Sequence, residues 1–316
     1  MSIKVVRYSP ELRSDWHAVV AGARNAVFQF EREFIEYHGD RFVDMSLLAY
    51  MDGAPVAVVP AAYDPIGQKL ISHPGLTFGG IVVLRELRGG DCIAVVDAVL
   101  EVCKAWGMRA CILKPLPAQF CNYPSGDVEY ALWRMGFKVI RRDLSSLLPL
   151  YDAIRPSNLR RRSLRKARRA GVCVRVESDI KAFHALLTSV LSVRHGIKPV
   201  HSADEMRLLM SRFPENISIF TAYLADTMLA GAMVFRYGHV WHTQYLANSP
   251  RGCEIGALDV VIDDVAERAR EAGAKYLSFG ISTEDQGRVL NDGLLWQKES
   301  FGARAITHDF MECQLC

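Results

Sequence analysis

Polar side chains that could carry chemistry are concentrated between Phe279 and Gly302, in the C-terminal part of the chain. Ser282, Glu284 and Asn291 precede Lys298 in this segment. The segment is too short to keep all of these groups in water, and such crowding predicts a site that binds substrate. Glu284 could act there as a general base through a water molecule, while the amide of Asn291 either shapes a turn or contacts a sugar hydroxyl.

Histidines that could take a proton lie upstream of this segment. Because an imidazole titrates near neutral pH, it can take the proton released by an attacking ammonium group. His242 and Gln244 alternate with Thr243 and Tyr245 along a predicted strand, so each pair shares one face of the sheet. We therefore expect His242 to be a candidate base and Gln244 and Tyr245 to contact substrate, although a lone strand histidine is commonly structural.

A second set of polar side chains lies in a predicted loop. His195 and His201 flank Lys198 and Pro199, and this loop could lie over a bound substrate. Each histidine is a further candidate base, and we expect His195, Lys198 and His201 to bind substrate.

A run of positive charge begins near the middle of the chain. Drawn as a helix, the run carries Leu159, Leu164 and Ala167 on a thin apolar stripe and cations over the rest. The cations, with no acid among them, are Arg155, Arg160, Arg161, Arg162, Arg165, Lys166, Arg168 and Arg169. The run is either a solvated face or a landing surface for phosphates, because arginine forms paired hydrogen bonds with phosphate oxygens. In the second interpretation, Arg161 and Arg165 contact a nucleotide diphosphate or an RNA backbone.

The elements around these residues predict how they are positioned. An apolar strand ends near Asn248, and a turn from Ser249 to Ala257 leads into a helix. Apolar residues recur at helical spacing along that helix, at Leu258, Val261, Ile262, Val265 and Ala269. A strand, a glycine-bearing turn and a helix together can hold phosphate on backbone N–H groups.

The length of 316 residues corresponds to about two domains, by the usual prior of roughly 150 residues each. Strands and interleaved helices follow in the same order twice, with hairpin turns predicted at Asp52-Gly53 and at Ala225-Asp226. We therefore predict an α/β protein with a mixed sheet and two similar domains, residues 1–152 and 153–316. The boundary should fall where Pro149 and Pro156 bracket a polar stretch.

The composition narrows the class of protein. The formal charge of +3 is too small to mark the whole chain as a nucleic-acid binder. The N-terminus carries charges and no long apolar run, so we expect a cytoplasmic protein without a secretory signal or a membrane span. The eight cysteines are scattered, as is typical of reduced core thiols, and only Cys313 and Cys316 have C-x-x-C spacing. Since no cluster of metal ligands stands out, we expect no metal.

Short stretches in a specific order resemble the GNAT acyltransferase superfamily, and more closely its two-domain branch related to the Fem-type peptidoglycan aminoacyltransferases. In the first half the matching stretches are Arg41–Leu47, His73–Gly80 and Tyr130–Phe137. In the second half they are Leu159–Val172 and the segment from Phe279 to Gly302. The resemblance covers most of the chain. It implies tandem duplicated GNAT-like domains and transfer of an acyl group from a thioester or an aminoacyl ester to an amine.

The resemblance also implies a role for one lysine. Gly293-Leu-Leu-Trp-Gln-Lys298 is similar to a motif that places a lysine at the reaction centre of the Fem-type enzymes, with Gln297 in place of an aromatic residue. A positive group beside a carbonyl would stabilise a tetrahedral oxyanion. The alternative is that Lys298 pairs with Glu299 or lies on a helix face.

The stretch Arg251-Gly-Cys-Glu-Ile-Gly-Ala257 approximates the GNAT pyrophosphate loop, but Glu254 stands where the first glycine is expected. A carboxylate there would point negative charge towards a diphosphate. In this loop the resemblance implies that coenzyme A binds at Ser249, Arg251, Gly256 and Ala257. The alternative is a purely structural turn between strand and helix.

The leading hypothesis is a transferase that moves an acetyl group from acetyl-coenzyme A to an amine on a nucleotide-linked amino sugar or another precursor of an envelope polysaccharide. Acetyl-coenzyme A is favoured because the chain lacks the long helical-hairpin insertion found in some transfer-RNA-using relatives. One alternative is a Fem-like aminoacyltransferase that uses charged transfer RNA, which the basic run supports. Another is a non-catalytic RNA- or nucleotide-binding protein that retained the fold. The sequence leaves the oligomeric state open.

Overall fold

The computed structural model describes residues 2–177 and 179–315, and at positions 40, 177, 194 and 195 it describes the backbone only. The chain forms two compact units. Unit 1 comprises Met1–Asp143, Asp285–Arg288 and Thr307–Cys316, and unit 2 comprises Leu144–Glu284 and Val289–Ile306. The first crossing between units thus falls earlier than the boundary expected from the sequence, and the C-terminal residues belong to unit 1.

The helices are α1 (Arg13–Gly22), α2 (Arg32–Ile35), α3 (Gly89–Ala105), α4 (Gly126–Arg134), α5 (Asn158–Arg169), α6 (Ile180–His195), α7 (Ala203–Arg212), α8 (Pro250–Ile255), α9 (Ala257–Glu271) and α10 (Asp292–Ser300). The strands are β1 (Ile3–Arg7), β2 (Val43–Asp44), β3 (Leu47–Met51), β4 (Ala54–Val59), β5 (Ala61–Asp64), β6 (Lys69–Ser72), β7 (Val82–Val83), β8 (Ala110–Leu113), β9 (Lys138–Pro149), β10 (Cys173–Glu177), β11 (Ile217–Leu224), β12 (Thr227–Tyr237), β13 (Val240–Asn248), β14 (Tyr276–Ile281), β15 (Thr283–Glu284), β16 (Val289–Leu290) and β17 (Arg304–Gln314).

Unit 1 contains an antiparallel sheet of order β1-β3-β4-β7. It also contains further strands, among which β6 and β8 pair in parallel. The predicted hairpin between β3 and β4 is confirmed, because Met51 and Ala54 are Cα partners. Asp52 and Gly53 both have positive φ, which matches the twist of a two-residue hairpin. The core of the unit includes Val95 and Val99 of α3.

Unit 2 contains strands in the order β10-β11-β12-β13-β14, followed by residues 144–149 of β9. Neighbouring pairs are antiparallel except for β13 and β14, which are parallel. Helix α9 packs on one face of these strands, over a core that includes Phe220, Val234 and Trp241. The predicted α/β class with a mixed sheet is confirmed.

The apolar residues of α9 lie on one face of the helix, as their spacing in the sequence predicts. The five apolar positions predicted to share a face are all buried, none with more than 6% of its surface exposed. They are Leu258, Val261, Ile262, Val265 and Ala269. Burying one such aliphatic side chain contributes roughly 1.5–3 kcal/mol, so this face fixes the helix against the sheet.

Within residues 2–177 and 179–315, no helix has both the length and the apolar character needed to cross a membrane. The same part of the chain holds no group of His, Cys, Asp and Glu side chains suited to binding a metal ion.

Candidate active site

Strands β13 and β14 separate at the centre of unit 2. Their parallel pairing runs from Val240 and Tyr276 to His242 and Ser278 and goes no further among the described residues. β13 itself continues to Asn248 and stays paired with β12 on its other side. The edge of β13 that faces away from β12 is therefore open beyond His242. An extended ligand can bind such an edge through backbone hydrogen bonds.

Two backbone carbonyls at the end of β14 point to one ammonium group. Gly280 has a φ of 70°, which interrupts the alternation of carbonyl directions along the strand. The carbonyl oxygens of Gly280 and Ile281 both accept hydrogen bonds from Nζ of Lys298, at 2.9 and 2.5 Å. An ammonium group has three hydrogens, and no other described residue accepts the third. Lys298 therefore has one N–H to donate to a ligand.

The environment of Lys298 lowers its affinity for a proton. The side chain is buried, and its two hydrogen-bond partners are neutral carbonyls rather than a carboxylate. Burial lowers the pKa of its ammonium group from 10.5 to about 8. At pH 7 the group is thus mainly charged, and little of that charge is compensated by its surroundings.

His242 lies beside the same glycine. Its Nδ1 lies 2.9 Å from Oγ of Ser278, and a Cβ added at Gly280 would lie 3.4 Å from its Cε1. Burial, and then the charge of Lys298, lower the pKa of His242 to about 4. The imidazole is therefore neutral at pH 7, where it can exchange hydrogen bonds but is a weak base. Its catalytic role stays a prediction.

Hydrogen bonds to Tyr245 tie the loop between α6 and α7 to β13. Nδ1 of His201 lies 2.6 Å from the hydroxyl of Tyr245, and the backbone carbonyl of His201 lies 3.2 Å from Nε2 of His184. Burial raises the pKa of Tyr245 to about 12, so its hydroxyl stays protonated. The structure thus brings two predicted substrate-binding residues, His201 and Tyr245, into direct contact.

The other residues predicted for this region have different surroundings. Gln244 is the extra residue of a bulge opposite β12, and its Oε1 is buried without a hydrogen-bond partner among the described residues. Lys198 is exposed in the loop between α6 and α7. His195 ends α6, and its side chain lies outside the described part of the structure.

Two buried serine hydroxyls belong to the same part of unit 2. Ser282 follows β14, and Ser146 of β9 is the Cα partner of Gly280. Each is at most 1% exposed, and neither hydroxyl forms a hydrogen bond with a described residue. Sequence analysis identified Ser282 but not Ser146, because only the pairing of β9 with β14 brings Ser146 to Gly280.

Asn291 positions the helix that carries Lys298. Its Oδ1 accepts a hydrogen bond from the N–H of Leu294 and caps α10, while its Nδ2 donates to Oε1 of Glu284 at 2.7 Å. A cap of this kind stabilises a helix by about 1 kcal/mol. The predicted residues Glu284 and Asn291 therefore lie together at the start of α10.

The segment predicted to bind a diphosphate forms the short helix α8, which Ser249 caps and on which Arg251 is exposed. Gly256, with a φ of 92°, and Ala257 connect α8 to α9. Helix α5 covers this junction, because a Cβ added at Gly256 would overlap Oγ of Ser163 and lie 2.8 Å from the backbone oxygen of that residue.

The start of α9 already has a negative charge. Asp259, 6% exposed, accepts hydrogen bonds from Arg160 at 3.2 Å and from Ser163 at 3.0 Å. Lys166 donates to the backbone oxygen of Glu254 at 2.6 Å. With α5 against Gly256 and a carboxylate in the first turn of α9, this junction does not fit a diphosphate.

The contact between α5 and Gly256 gives a test of this packing. We expect Gly256→Ala to lower the free energy of unfolding by about 2 kcal/mol more than Gly273→Ala, as measured by urea denaturation. Both glycines have positive φ, so both substitutions carry the same backbone penalty, but a Cβ at Gly273 meets nothing within 4 Å. Equal losses would contradict the contact with Ser163.

Helix α5 carries several cations that no carboxylate of the described residues neutralises. Arg168 pairs with Asp263, and Arg160 also bonds to Ser300. The side chain of Arg165 donates to the backbone oxygen of Arg161, whose own guanidinium bonds to Asn158. Within the described part of the chain, no carboxylate pairs with Arg161, Arg162, Arg165 or Arg169. The exposed face of α5 can therefore attract phosphates.

Residues 157–286 match the family model described as an acetyltransferase (GNAT) domain. Among curated proteins, none matches this sequence. The crystal structure of FemX superimposes with a TM-score of 0.68 at 14% identity, over 97% of this chain and 96% of that chain.

Two further structures are similar. The C-terminal domain of a putative lysylphosphatidylglycerol synthetase from Agrobacterium fabrum has a TM-score of 0.61 at 12% identity, over 96% of this chain and 91% of that chain. L-PGS from Bacillus licheniformis has a TM-score of 0.61 at 13% identity, over 98% of this chain and 93% of that chain. At these identities the likeness is one of fold. The predicted GNAT-superfamily fold, in its Fem-related form, is confirmed.

Proposed function

We propose that the chain is an N-acyltransferase whose reaction centre lies in unit 2, at the open edge of β13. The supporting observation is Lys298, a buried ammonium beside the open edge with one N–H to donate. The amine nitrogen of the acceptor attacks the acyl carbonyl carbon, and the carbonyl oxygen becomes an oxyanion that accepts this N–H. The bond from that carbon to the leaving oxygen or sulfur then breaks and the amide forms.

The attacking nitrogen loses a proton in this reaction, and the leaving group gains one. Glu284 and His242 are two candidate proton acceptors, besides His195 at the end of α6 and His201 of the loop between α6 and α7. His242 is buried, and its pKa is lowered to about 4, whereas the carboxylate of Glu284 is exposed and bonded to Asn291. Access to water, through which a proton can pass, favours Glu284 as the base, with His242 and Ser278 shaping the pocket.

The surroundings of α5 favour a donor that is an aminoacyl ester of RNA. The start of α9 is covered by α5, which argues against a diphosphate there, while the exposed face of α5 offers arginines to a polyanion. On this proposal Arg161 and Arg165 contact RNA phosphates, and Lys298 meets the ester carbonyl.

Acetyl-coenzyme A is the second candidate donor. The match of residues 157–286 to an acetyltransferase model favours it. The junction at Gly256, which does not fit a diphosphate, argues against coenzyme A as the donor. For either donor we propose an acceptor amine on a nucleotide-linked amino sugar or an envelope precursor, in keeping with the resemblance to the Fem-type enzymes.

The test is a transfer assay with two labelled donors and one acceptor. Purified protein is incubated with a UDP-linked amino sugar and either bulk transfer RNA charged with labelled amino acids or labelled acetyl-coenzyme A. We expect label to move to the sugar from charged transfer RNA. Transfer only from acetyl-coenzyme A would favour the second donor, and transfer from neither would contradict the proposed donors and acceptor.

Charge reversal on α5 tests the RNA surface. We expect Arg161→Glu with Arg165→Glu to weaken transfer-RNA binding by more than about 100-fold. The slope of log affinity against log salt concentration, which is negative, should become smaller in magnitude by about 2. The control pair, Arg109→Glu with Arg134→Glu, changes the net charge equally on exposed positions of unit 1. Equal losses in the two pairs would mean that net charge, and not α5, attracts the RNA.

A further inference from the structure

Unit 1 contains a buried cation that the proposed reaction does not use. Lys114 follows β8 and is 7% exposed. Its Nζ donates to the backbone oxygens of His73 and Leu76, at 3.2 and 2.6 Å. The third N–H has no acceptor among the described residues, and none of their carboxylates lies within ion-pair distance of Nζ.

The charges around Lys114 leave an excess of one cation. Arg141 forms an ion pair with Asp143 at 2.8 Å, and Arg142 pairs with Asp309 through two hydrogen bonds of 2.6 and 2.7 Å. Each of these pairs is neutral in itself, whereas no carboxylate among the described residues pairs with Lys114. Burial, and then the charge of Arg141, lower the pKa of Lys114 to about 8. A buried ammonium without a carboxylate is costly, so its retention calls for an explanation.

A second unused hydrogen-bonding group lies near this cation. His308 is 6% exposed, and its Nε2 is buried without a hydrogen bond to any described residue. Its ring lies 5.1 Å from the ring of Phe78, which belongs to the same segment as His73 and Leu76. Burial, and then the charge of Lys114, lower the pKa of His308 to about 4. The imidazole is therefore neutral, and its Nε2 can donate in one tautomer.

We propose that Lys114 and His308 form a binding site in unit 1 for an oxyanion of the phosphate class. The bound oxygens accept the third N–H of Lys114 and the Nε2–H of His308, which satisfies both groups at once. Arg141 adds positive charge, and its guanidinium is held 4.3 Å above the ring of Phe310. The site does not depend on the proposed function, since every group in it belongs to unit 1.

Titration with inorganic phosphate and pyrophosphate tests the site. Calorimetry measures affinity for the wild-type protein, for Lys114→Met and for the control Lys104→Met, which removes an exposed lysine of α3. We expect Lys114→Met to bind about 10- to 100-fold more weakly than wild type and Lys104→Met to bind normally. Equal affinity in both variants would overturn the proposal. An acetate titration as tight as phosphate would overturn the assignment to the phosphate class.

The wild-type protein supplies a readout that does not depend on how the variants fold. Because a bound anion favours a protonated imidazole, saturating phosphate should raise the pKa of His308, followed by NMR, by roughly one unit or more. Lys114→Arg keeps the charge and should retain binding. An unchanged pKa of His308 at saturating phosphate, or no saturable binding by wild type, would place the anion elsewhere and overturn the proposal.

Discussion

Replacing Lys298 with methionine should lower the rate of acyl transfer by about 100- to 1,000-fold while the protein stays folded. The expected loss is that of one donor to a developing oxyanion, which is typically worth two to three powers of ten in rate. Methionine keeps most of the volume of the side chain but cannot donate to the reacting carbonyl oxygen. Initial rates with saturating donor and acceptor measure the effect.

The folding of this variant is predictable from the same contacts. Removing Lys298 leaves the carbonyls of Gly280 and Ile281 without that donor, which costs roughly 1–3 kcal/mol, but it also removes an ammonium from a buried position. These effects oppose each other, so we expect a small change in the free energy of unfolding. The exposed Lys275→Met is the matched control. If the two variants transfer at the same rate, Lys298 is not at the reaction centre.

The same variant separates the enzyme from a non-catalytic RNA-binding protein. An enzyme with an RNA-borne donor should keep its affinity for transfer RNA in Lys298→Met and lose turnover. A binding protein would show no transfer even as wild type, and only charge reversal at Arg161 and Arg165 would change its behaviour.

The sequence was informative wherever one segment alone determines the structure. The apolar spacing of α9 predicted its buried face. Asp52-Gly53 predicted a hairpin because glycine, asparagine and aspartate are the residues that most readily adopt positive φ in a two-residue turn. A short motif singled out Lys298 as a candidate, and its role stays a prediction. These features depend on local periodicity or backbone preference, which a single sequence contains.

What the sequence could not reveal depends on contacts between distant segments. Ser146 comes to Gly280 through the pairing of β9 with β14, and Tyr245 comes to His201 through the packing of a loop on β13. The covering of Gly256 by Ser163 likewise joins residues far apart in the chain. The predicted phosphate turn looked open because nothing in its own residues indicates that α5 lies on it.

Acyl transfer by the wild-type protein should slow as the pH rises above about 8, by tenfold per unit and thus by about 100-fold at pH 10. Burial lowers the pKa of Lys298 from 10.5 to about 8, so the ammonium is intact below this value and becomes a neutral amine above it. A neutral amine is a much weaker donor to an oxyanion. Single-turnover rates of the bound complex measure the dependence directly.

The variant Lys298→Arg tests whether Lys298 is the group whose titration causes the decline in rate above pH 8. A guanidinium keeps its charge throughout this range, so the decline above pH 8 should disappear in Lys298→Arg, even if its rate at pH 7 is reduced by the different geometry. A decline that persists in this variant would assign the titration to another group.

Unfolding has to be distinguished from this loss of rate, because several buried groups titrate in the same pH window. Between pH 8 and pH 10.5 the unfolded chain keeps the proton on Lys298 that the folded protein has released, so the unfolded state binds more protons and the free energy of unfolding rises with pH. Lys114, with its pKa also lowered to about 8, contributes in the same direction. Over this window the two lysines favour the folded state as the pH rises, whereas Cys92 and Tyr245, whose pKa values burial raises to about 12, act in the opposite direction. Urea denaturation at pH 7.5 and pH 9.5 therefore separates the loss of a catalytic charge from the loss of the fold.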